Sequence, residues 1–230
     1  MSLVRPQSAT PSPAFEAVVF DCDGVLADTE EAWLLVEREL CRSYGVDPEH
    51  ADVTDTRGVS MHESVRRLLP HLRREDERRV AADRLIEIAT TLVGQRATAL
   101  PGVVDLVPAL SQVYPIAVAS NSPTSVLHPV LRGIGVQDYF PHAFGADQVA
   151  EPKPAPDLYL LAAQQLGCRP ERVLVVEDSA TGVQAARTAG CLVVQVLATG
   201  VPRVDEAHAW IPDLRITPDE LRDLVVAAAT

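Results

Sequence analysis

The feature of this sequence that most constrains its fold is a set of short apolar runs that alternate with helical patterns. Each run is rich in β-branched residues, which is typical of a strand buried in a parallel sheet. Four stretches have this pattern: residues 16–20, 115–120, 172–177 and 191–196. Leu- and Ala-rich helical patterns at 157–166 and 181–189 lie between them and stop at glycines. The alternation predicts a doubly wound α/β fold with a parallel sheet.

The stretch from residue 28 to 98 has a different pattern. Residues 30–44, 60–69 and 75–92 have helical spacing with many Arg and Glu, and no strand pattern interrupts them. They predict an all-α insertion placed directly after the first strand, and Leu100-Pro-Gly102 marks the return to the α/β core. The predicted organisation is therefore a flexible tail at 1–14, a core at 15–27 and 99–230, and an inserted helical domain at 28–98.

The net charge of −12 limits the possible partners. It comes from 20 Lys and Arg against 32 Asp and Glu among 230 residues. Such a surface repels phosphate backbones, so we do not expect a nucleic-acid partner. A phosphorylated small molecule would need a local cation to offset the same field, which first suggests that a metal is required.

Location and redox state can also be predicted from composition. No stretch approaches 18 uninterrupted apolar residues, and the first 14 residues do not resemble a secretion signal, so we expect a cytoplasmic protein without a membrane partner. The four cysteines are scattered and are expected to be thiols rather than a disulfide or zinc site. A monomer is favoured, although the sequence leaves the oligomeric state open.

Polar residues cluster where the predicted strands end. In open α/β sheets ligands bind beyond the carboxyl ends of the strands, so these clusters are expected to meet at one edge. The residues concerned are Asp21 and Asp23, Ser120 and Asn121, Lys153, and Glu177 and Asp178.

The chemistry of this set favours phosphoryl transfer. Clustered carboxylates are hard oxygen ligands suited to Mg²⁺ rather than to zinc. Lys153 can pair with a carboxylate and with a phosphoryl oxygen, and Ser120 can donate a hydrogen bond to the same group. A carboxylate nucleophile here would form an aspartyl-phosphate, while a second carboxylate two residues on acts as general acid and then base. Asp21 and Asp23 fit these two roles.

The motifs resemble those of the haloacid dehalogenase superfamily, in the family's order. They are Asp21-Cys-Asp-Gly-Val-Leu-Ala-Asp-Thr-Glu30, Ser120-Asn-Ser, Lys153-Pro-Ala-Pro-Asp157 and Glu177-Asp-Ser. The resemblance implies a Rossmann-like core with a helical cap inserted after the first strand. It also implies Mg²⁺ held by the Asp21 side chain, the Asp23 backbone carbonyl and Asp178, with Glu177 assisting directly or through water. Ser120, Asn121 and Lys153 would bind phosphate.

Within the superfamily the chain is similar to the branch that holds β-phosphoglucomutase, phosphoglycolate phosphatase and sugar-phosphate phosphatases. The mutase has an Arg, a His and a Lys where this chain has Met61, Trp33 and Pro123. A mutase must hold a second phosphate group, so the loss of these cations favours hydrolysis of a small phosphorylated metabolite. Phosphoryl transfer by a mutase remains the alternative. Arg57 and His62 are weaker candidates for contacting substrate from the cap.

Some residues near the motifs have simpler interpretations. Asp28 and Thr29 are expected to cap the first helix of the insertion, and Trp33 and Trp210 to be packing residues. A phospho-receiver signalling domain also combines an acceptor Asp, acidic metal ligands, a hydroxyl and a Lys. Receivers are about half this length and have no helical insertion, which makes that class the weaker alternative.

Overall fold

The computed structural model describes residues 15–49, 59–197 and 201–228, so the predicted tail at 1–14 lies outside the described residues. The strands in these ranges are β1 (Ala17–Phe20), β2 (Ala27–Asp28), β3 (Thr98–Ala99), β4 (Ile116–Ala119), β5 (His142–Phe144), β6 (Val173–Glu177), β7 (Leu192–Val196) and β8 (Ala209–Ile211). The helices are α1 (Glu30–Ser43), α2 (Met61–Leu68), α3 (Glu75–Arg96), α4 (Val103–Ser111), α5 (Thr124–Gly133), α6 (Asp157–Gln165), α7 (Ala180–Thr188) and α8 (Pro218–Ala228).

Within the described residues, six strands form one parallel sheet in the order β5-β4-β1-β6-β7-β8. On β1, Val18 lies opposite Ile116 of β4 on one side and Leu174 of β6 on the other. Along the chain, β4 and β5 are therefore added on one side of β1, and β6, β7 and β8 are then added on its other side. This confirms the predicted doubly wound, Rossmann-like sheet, and it makes the end of β1 the point where ligands are expected.

Alternate residues of the strands face opposite sides of the sheet, and helices cover both. Val18 and Phe20 of β1 pack in one cluster, which includes residues of α4, α5 and α8. Ala17 and Val19 pack in the other, with α6 and α7. All four are fully buried, which explains why the strand is apolar throughout instead of alternating with polar residues. Full burial of a valine or phenylalanine side chain, such as Val18, Val19 or Phe20, stabilises the fold by about 1.5–3 kcal/mol.

The insertion is helical, as predicted. Helices α1, α2 and α3 lie between β2 and β3, which pair as a short antiparallel ribbon with Ala27 opposite Ala99. Buried residues such as Leu40 of α1 and Leu85 of α3 join the same apolar cluster that covers one face of the sheet. We propose that the ribbon is the boundary between the core, 15–27 and 99–230, and the cap, 28–98.

Two prolines lie inside core helices. The sequence left open whether Pro108 and Pro129 kink their helices or shorten them, and the structure has each within its helix, α4 or α5. Pro129 also lies against Gly94 of α3, at a contact between cap and core. The proline ring therefore serves as a packing surface for the cap.

The chain returns from the cap through a tight turn at Gly102. This residue has φ of +88°, and a Cβ atom there would lie 2.1 Å from the backbone carbon of Leu214. The Leu214 N–H donates a hydrogen bond to the Pro101 carbonyl at 3.1 Å. The positive φ and the close approach together require glycine. The exit of the cap is thus fixed against the segment that precedes α8.

All four cysteines are free thiols, and no disulfide joins them. Cys22 is buried beside the sheet, and burial, together with the neighbouring Asp23 and Asp21 carboxylates, raises the pKa of its thiol well above the ordinary value. A thiol in this state is a packing group. None of the helices in the described ranges is long and apolar enough to span a bilayer.

Candidate active site

The loop after β1 brings Asp21 and Asp23 to the edge of the sheet. Asp21 is still held to the neighbouring strand, since its N–H donates to the Val176 carbonyl at 2.9 Å. Gly24 follows with φ of +83°, and a Cβ atom there would lie 2.3 Å from Oδ2 of Asp178. Any larger residue would therefore push the loop away from Asp178. The glycine lets three carboxyl groups from two strand ends share one small space.

Lys153 is the centre of a buried charged cluster. Its Nζ atom donates hydrogen bonds to Asp21 Oδ1 at 2.6 Å, to Glu177 Oε1 at 2.7 Å and to the Ala119 carbonyl at 2.8 Å. Lys153 is only 4% exposed. Burial acts to lower the pKa of the ammonium, but the Asp21 and Glu177 carboxylates outweigh it and raise that pKa. Lys153 is therefore a permanent cation within reach of Asp21.

Asn121 makes a contact that the sequence did not suggest. Its Nδ2 atom donates to the Lys153 carbonyl at 3.1 Å, and the Lys153 N–H donates to its Oδ1 atom at 2.9 Å. Both ends of the side-chain amide are thus used on the backbone of Lys153. The predicted phosphate contact of Asn121 is not tested by this geometry. What the side chain does here is hold Lys153 in position.

Glu177 accepts hydrogen bonds at both oxygens. Oε1 accepts from Lys153 and from the Tyr159 hydroxyl at 2.8 Å, and Oε2 accepts from the N–H of Asp178 and from Ser179. Burial acts to raise the pKa of this carboxyl, but the Lys153 charge and these hydrogen bonds outweigh it and hold the pKa below its usual value. Glu177 is an ionised anchor for Lys153, and its predicted part in metal binding remains a prediction.

The acidic residues of the cluster carry more negative charge than Lys153 can balance. One oxygen each of Asp21, Glu177 and Asp178 lie within 4.8 Å of one another. Burial, and next the Glu177 charge, raises the pKa of Asp178 to about 8. Burial likewise raises the pKa of Asp21 well above its usual value, although Lys153 opposes the shift.

The excess of negative charge is the criterion by which we judge whether a metal ion fits the site. Three carboxyl groups, those of Asp21, Glu177 and Asp178, surround one ammonium, and their atoms are hard oxygen donors. A divalent cation such as Mg²⁺ is the physical complement of such a set. The side chains of Asp21 and Asp178, with the Asp23 carbonyl, are the residues that would hold it.

Asp23 is surrounded by neutral donors. Its Oδ1 atom accepts from the Thr29 hydroxyl at 2.5 Å and from Trp33 Nε1 at 2.9 Å. Its Oδ2 atom accepts from the hydroxyls of Ser120 at 3.3 Å and Ser122 at 2.9 Å. Ser120, predicted to contact phosphate, is thus directed to Asp23 here. Asp23 is half-buried, whereas Asp21 is buried.

The expected N-cap position of Thr29 on α1 is confirmed, but its side chain does not form a capping hydrogen bond. The Thr29 hydroxyl donates to Asp23 instead. Trp33 was expected to pack, and it also supplies a hydrogen bond. The two lie four residues apart, which puts them on one face of the first helical turn. The four-residue spacing was therefore a signal in the sequence that Thr29 and Trp33 could contact the same group.

Other contributing residues had no sequence signal. Tyr159 is fully buried on α6 with its hydroxyl on Glu177. Gln195 on β7 is also fully buried, and its Nε2 atom donates to the Asp178 carbonyl at 2.9 Å. Of the weaker candidates, Arg57 lies outside the described residues. His62 is exposed at the start of α2 and, among the described residues, makes no hydrogen bond to the cluster.

Comparison with known families gives a match over most of the chain. Residues 18–196 match the model of the haloacid dehalogenase-like hydrolases. This range begins in β1 and ends with β7, so it contains every residue of the charged cluster and every donor to Asp23.

Named relatives and solved structures agree with that match. The chain is 29% identical to the fructose-1-phosphate phosphatase of Escherichia coli (strain K12), over 79% of this chain and 96% of the relative. It is 34% identical to a phosphorylated carbohydrates phosphatase of Thermotoga maritima, over 76% and 82%. The structure superposes on β-phosphoglucomutase of Clostridium difficile with a TM-score of 0.78 at 22% identity, covering 94% and 99%; this likeness shows the fold alone.

Proposed function

The chain belongs to the haloacid dehalogenase-like hydrolase family, and from this premise we propose that it is a magnesium-dependent phosphatase of a small phosphorylated metabolite. The substrate class is a sugar phosphate or a similar phosphoric monoester, as the names of the two phosphatase relatives suggest. The observation that carries the proposal is the Lys153 ammonium 2.6 Å from Asp21, inside a cluster that also contains Asp178.

In the first step Asp21 attacks the substrate phosphorus. A bond forms between an Asp21 carboxylate oxygen and phosphorus, and the bond from phosphorus to the sugar oxygen breaks. Asp23 gives its proton to that departing oxygen, so the sugar leaves as an alcohol. Lys153 fixes the rotation of the Asp21 carboxylate and neutralises part of the charge on the phosphoryl group.

In the second step the aspartyl-phosphate is hydrolysed. Asp23, now a carboxylate, takes a proton from water, and the water oxygen bonds to phosphorus. The bond between Asp21 and phosphorus breaks, which releases inorganic phosphate and restores both carboxyl groups to their starting states. Splitting the reaction in this way replaces one difficult hydrolysis with two easier steps.

Mg²⁺, when bound by Asp21, Asp178 and the Asp23 carbonyl, supplies positive charge next to the transferring phosphoryl group. The rest of the scaffold positions groups: Asn121 and Glu177 fix Lys153 from two sides. The serines after β4 and the residues at the start of α1 orient Asp23.

The proposal is tested by assaying a panel of phosphorylated metabolites with Mg²⁺, using wild type, Asp21→Asn and Asp28→Asn. We expect sugar phosphates to be hydrolysed, and we expect Asp21→Asn or removal of the metal with a chelator to abolish turnover. Asp28 is an exposed aspartate on the neighbouring β2 and serves as the matched control, so Asp28→Asn should retain activity. Substantial turnover by Asp21→Asn, or in the presence of chelator, would contradict the mechanism.

Hydrolysis and mutase activity are separated by one further assay. The residues at the three positions where a mutase has cations are Trp33, Met61 and Pro123, and they cannot hold the charge of a second phosphate. We therefore expect no conversion of β-glucose 1-phosphate to glucose 6-phosphate in the presence of glucose 1,6-bisphosphate. Efficient conversion would restore the mutase alternative.

A further inference from the structure

Trp33 links the cap to the proposed acid/base. It lies on α1, the first helix of the cap, with its ring half-buried against the apolar cluster that the cap and core share. Its Nε1 atom donates to Asp23 Oδ1 at 2.9 Å, and the Thr29 hydroxyl donates to the same oxygen. Both donors of Oδ1 therefore come from residues assigned to the cap.

The other oxygen of Asp23 is held by the core. Ser120 and Ser122, in the loop after β4, donate to Oδ2. The carboxyl group thus accepts hydrogen bonds from two sides. The donors to Oδ1 lie on the cap side of the ribbon of β2 and β3, and the donors to Oδ2 lie on the core side. Any displacement of α1 away from this position would remove both bonds to Oδ1 and leave those to Oδ2.

The indole differs chemically from the three hydroxyl donors. A Ser or Thr hydroxyl can turn and accept a hydrogen bond, whereas the indole N–H can only donate. Trp33 therefore keeps Oδ1 an acceptor in both protonation states of Asp23. The proton that moves to and from substrate is then carried by Oδ2, where the serine hydroxyls can reorient as it comes and goes.

We propose that Trp33 is a positioning residue that orients Asp23 for proton transfer and makes its alignment depend on the placement of α1. This rests on the proposed function, in which Asp23 is the acid and base. The indole does not touch the reacting phosphorus or carry a proton. Its contribution is to fix which oxygen of Asp23 meets the leaving group.

The test compares Trp33→Phe with Trp210→Phe on two substrates. Phenylalanine keeps an aromatic ring but has no N–H. Trp210 is the matched control, because its indole also donates one hydrogen bond, to the Val204 carbonyl at 3.1 Å. The substrates are a sugar phosphate that the wild type hydrolyses and p-nitrophenyl phosphate, whose leaving group departs without help from an acid. The quantity compared is kcat/KM, which covers the steps up to transfer to Asp21.

We expect Trp33→Phe to lower kcat/KM about tenfold for the sugar phosphate and less than about twofold for p-nitrophenyl phosphate, since general-acid assistance is worth about 10²–10⁴-fold in total. Trp210→Phe should leave both values unchanged. Equal losses on the two substrates, or no loss on either, would overturn the inference. If the wild type hydrolyses neither substrate, the proposed function itself fails and this inference fails with it.

A fluorescence measurement keeps the test decisive if Trp33→Phe does not fold. The chain has two tryptophans, so in Trp210→Phe the indole emission comes from Trp33 alone. Adding Asp23→Ala to that variant removes the acceptor of its N–H and should shift the emission. Unchanged emission would show that the indole does not contact Asp23 in solution and would overturn the inference.

Discussion

Asp21 and Asp23 are two residues apart, yet the structure surrounds them with different kinds of partner. Asp21, with Lys153, Glu177 and Asp178, forms what we call the nucleophile half of the site, in which every group is ionisable and buried. Asp23 is half-buried among neutral donors, namely Thr29, Trp33, Ser120 and Ser122, which with Asp23 form the acid/base half.

The difference follows from where each half is built. The nucleophile half comes from the end of β6 and from core loops that follow β1 and β6 or precede α6, so none of its residues belongs to the cap. The acid/base half takes half of its donors from residues 29 and 33, at the start of the cap. In the proposed mechanism, attack on phosphorus is common to all substrates, whereas protonation matters only for poor leaving groups. Under this proposal the site separates a substrate-independent function from a substrate-dependent one.

The largest effect is expected from removing the cation of the nucleophile half. Lys153→Met leaves Asp21 and Glu177 without their shared partner, and an uncompensated buried charge costs about 3–5 kcal/mol of unfolding free energy. We expect kcat/KM to fall by about 10³-fold, equally for a sugar phosphate and for p-nitrophenyl phosphate. Urea unfolding and kinetics on both substrates measure the two effects.

The control for Lys153→Met is Arg84→Met, which breaks a surface ion pair with Glu87. It should cost about 1 kcal/mol or less and leave activity intact. A loss in Lys153→Met that was confined to the sugar phosphate would remove the distinction between the two halves.

A smaller effect is expected from the buried Tyr159 hydroxyl, which donates to Glu177, the carboxylate that also pairs with Lys153. Tyr159→Phe removes one hydrogen bond to Glu177, which should lower the unfolding free energy by about 1.5–3 kcal/mol because the acceptor is charged. We expect kcat/KM to fall about tenfold on both substrates, as Lys153 loses part of its anchor. Tyr139→Phe, at an exposed tyrosine, is the matched control. If only the sugar phosphate were affected, Tyr159 would belong functionally with the acid/base half.

The nucleophile half should also make stability depend on pH. The pKa of Asp178, raised to about 8 by burial and then by the Glu177 charge, is far above its value in an unfolded chain. At neutral pH the folded state therefore holds a proton that the unfolded state has lost. The stability that this proton contributes is lost as pH rises through 8. Without Mg²⁺, we expect the unfolding free energy to fall by about 1.4 kcal/mol between pH 7 and 9, or Tm by roughly 3 °C.

Asp178→Asn should weaken this dependence, and adding Mg²⁺ to the wild type should oppose it, because the metal binds the deprotonated carboxylate. Thermal unfolding at several pH values, with and without the metal, provides the measurement. A Tm that rose from pH 7 to 9 in the absence of metal would contradict the predicted direction of the pH dependence.

The smallest effect is expected from a single donor of the acid/base half. Ser122→Ala removes one of the bonds to Oδ2 and leaves the others in place. We expect kcat/KM for a sugar phosphate to fall about threefold, with no change for p-nitrophenyl phosphate, because a neutral hydrogen bond contributes about 0.5–1.5 kcal/mol. Ser111→Ala, which loses a bond to the Pro108 carbonyl, is the control. A similar loss in both serine variants would indicate a general effect on folding.

The sequence predicted the nucleophile half better than the acid/base half, and the reason is physical. Asp21, Lys153 and Asp178 each lie close to the end of a strand or in a loop at the same edge, and parallel strands bring such residues together whatever the helices do. The strands themselves were predictable because burial on both faces leaves apolar runs, of which residues 173–176 are an example.

The donors to Asp23 depend on how α1 is rotated against the core, and periodicity alone does not determine that rotation. Trp33 has the apolar character of a packing residue, and only its neighbour in space shows that the N–H is used. Tyr159 was hidden for the same reason, since its position on α6 fits an ordinary buried aromatic. The short edge strands β5 and β8 were missed because three residues give little pattern.

The contact between Gly102 and Leu214 has a consequence for protein engineering. Helices α1, α2 and α3 form one uninterrupted piece of chain between β2 and β3, which makes the cap a candidate for exchange with another cap. In this protein the chain leaves the cap at Gly102, which contacts Leu214, a residue more than a hundred positions later in the sequence. A chimaera that carries a foreign cap must therefore retain glycine at position 102, because the backbone of Leu214 fills the space that a Cβ atom would need.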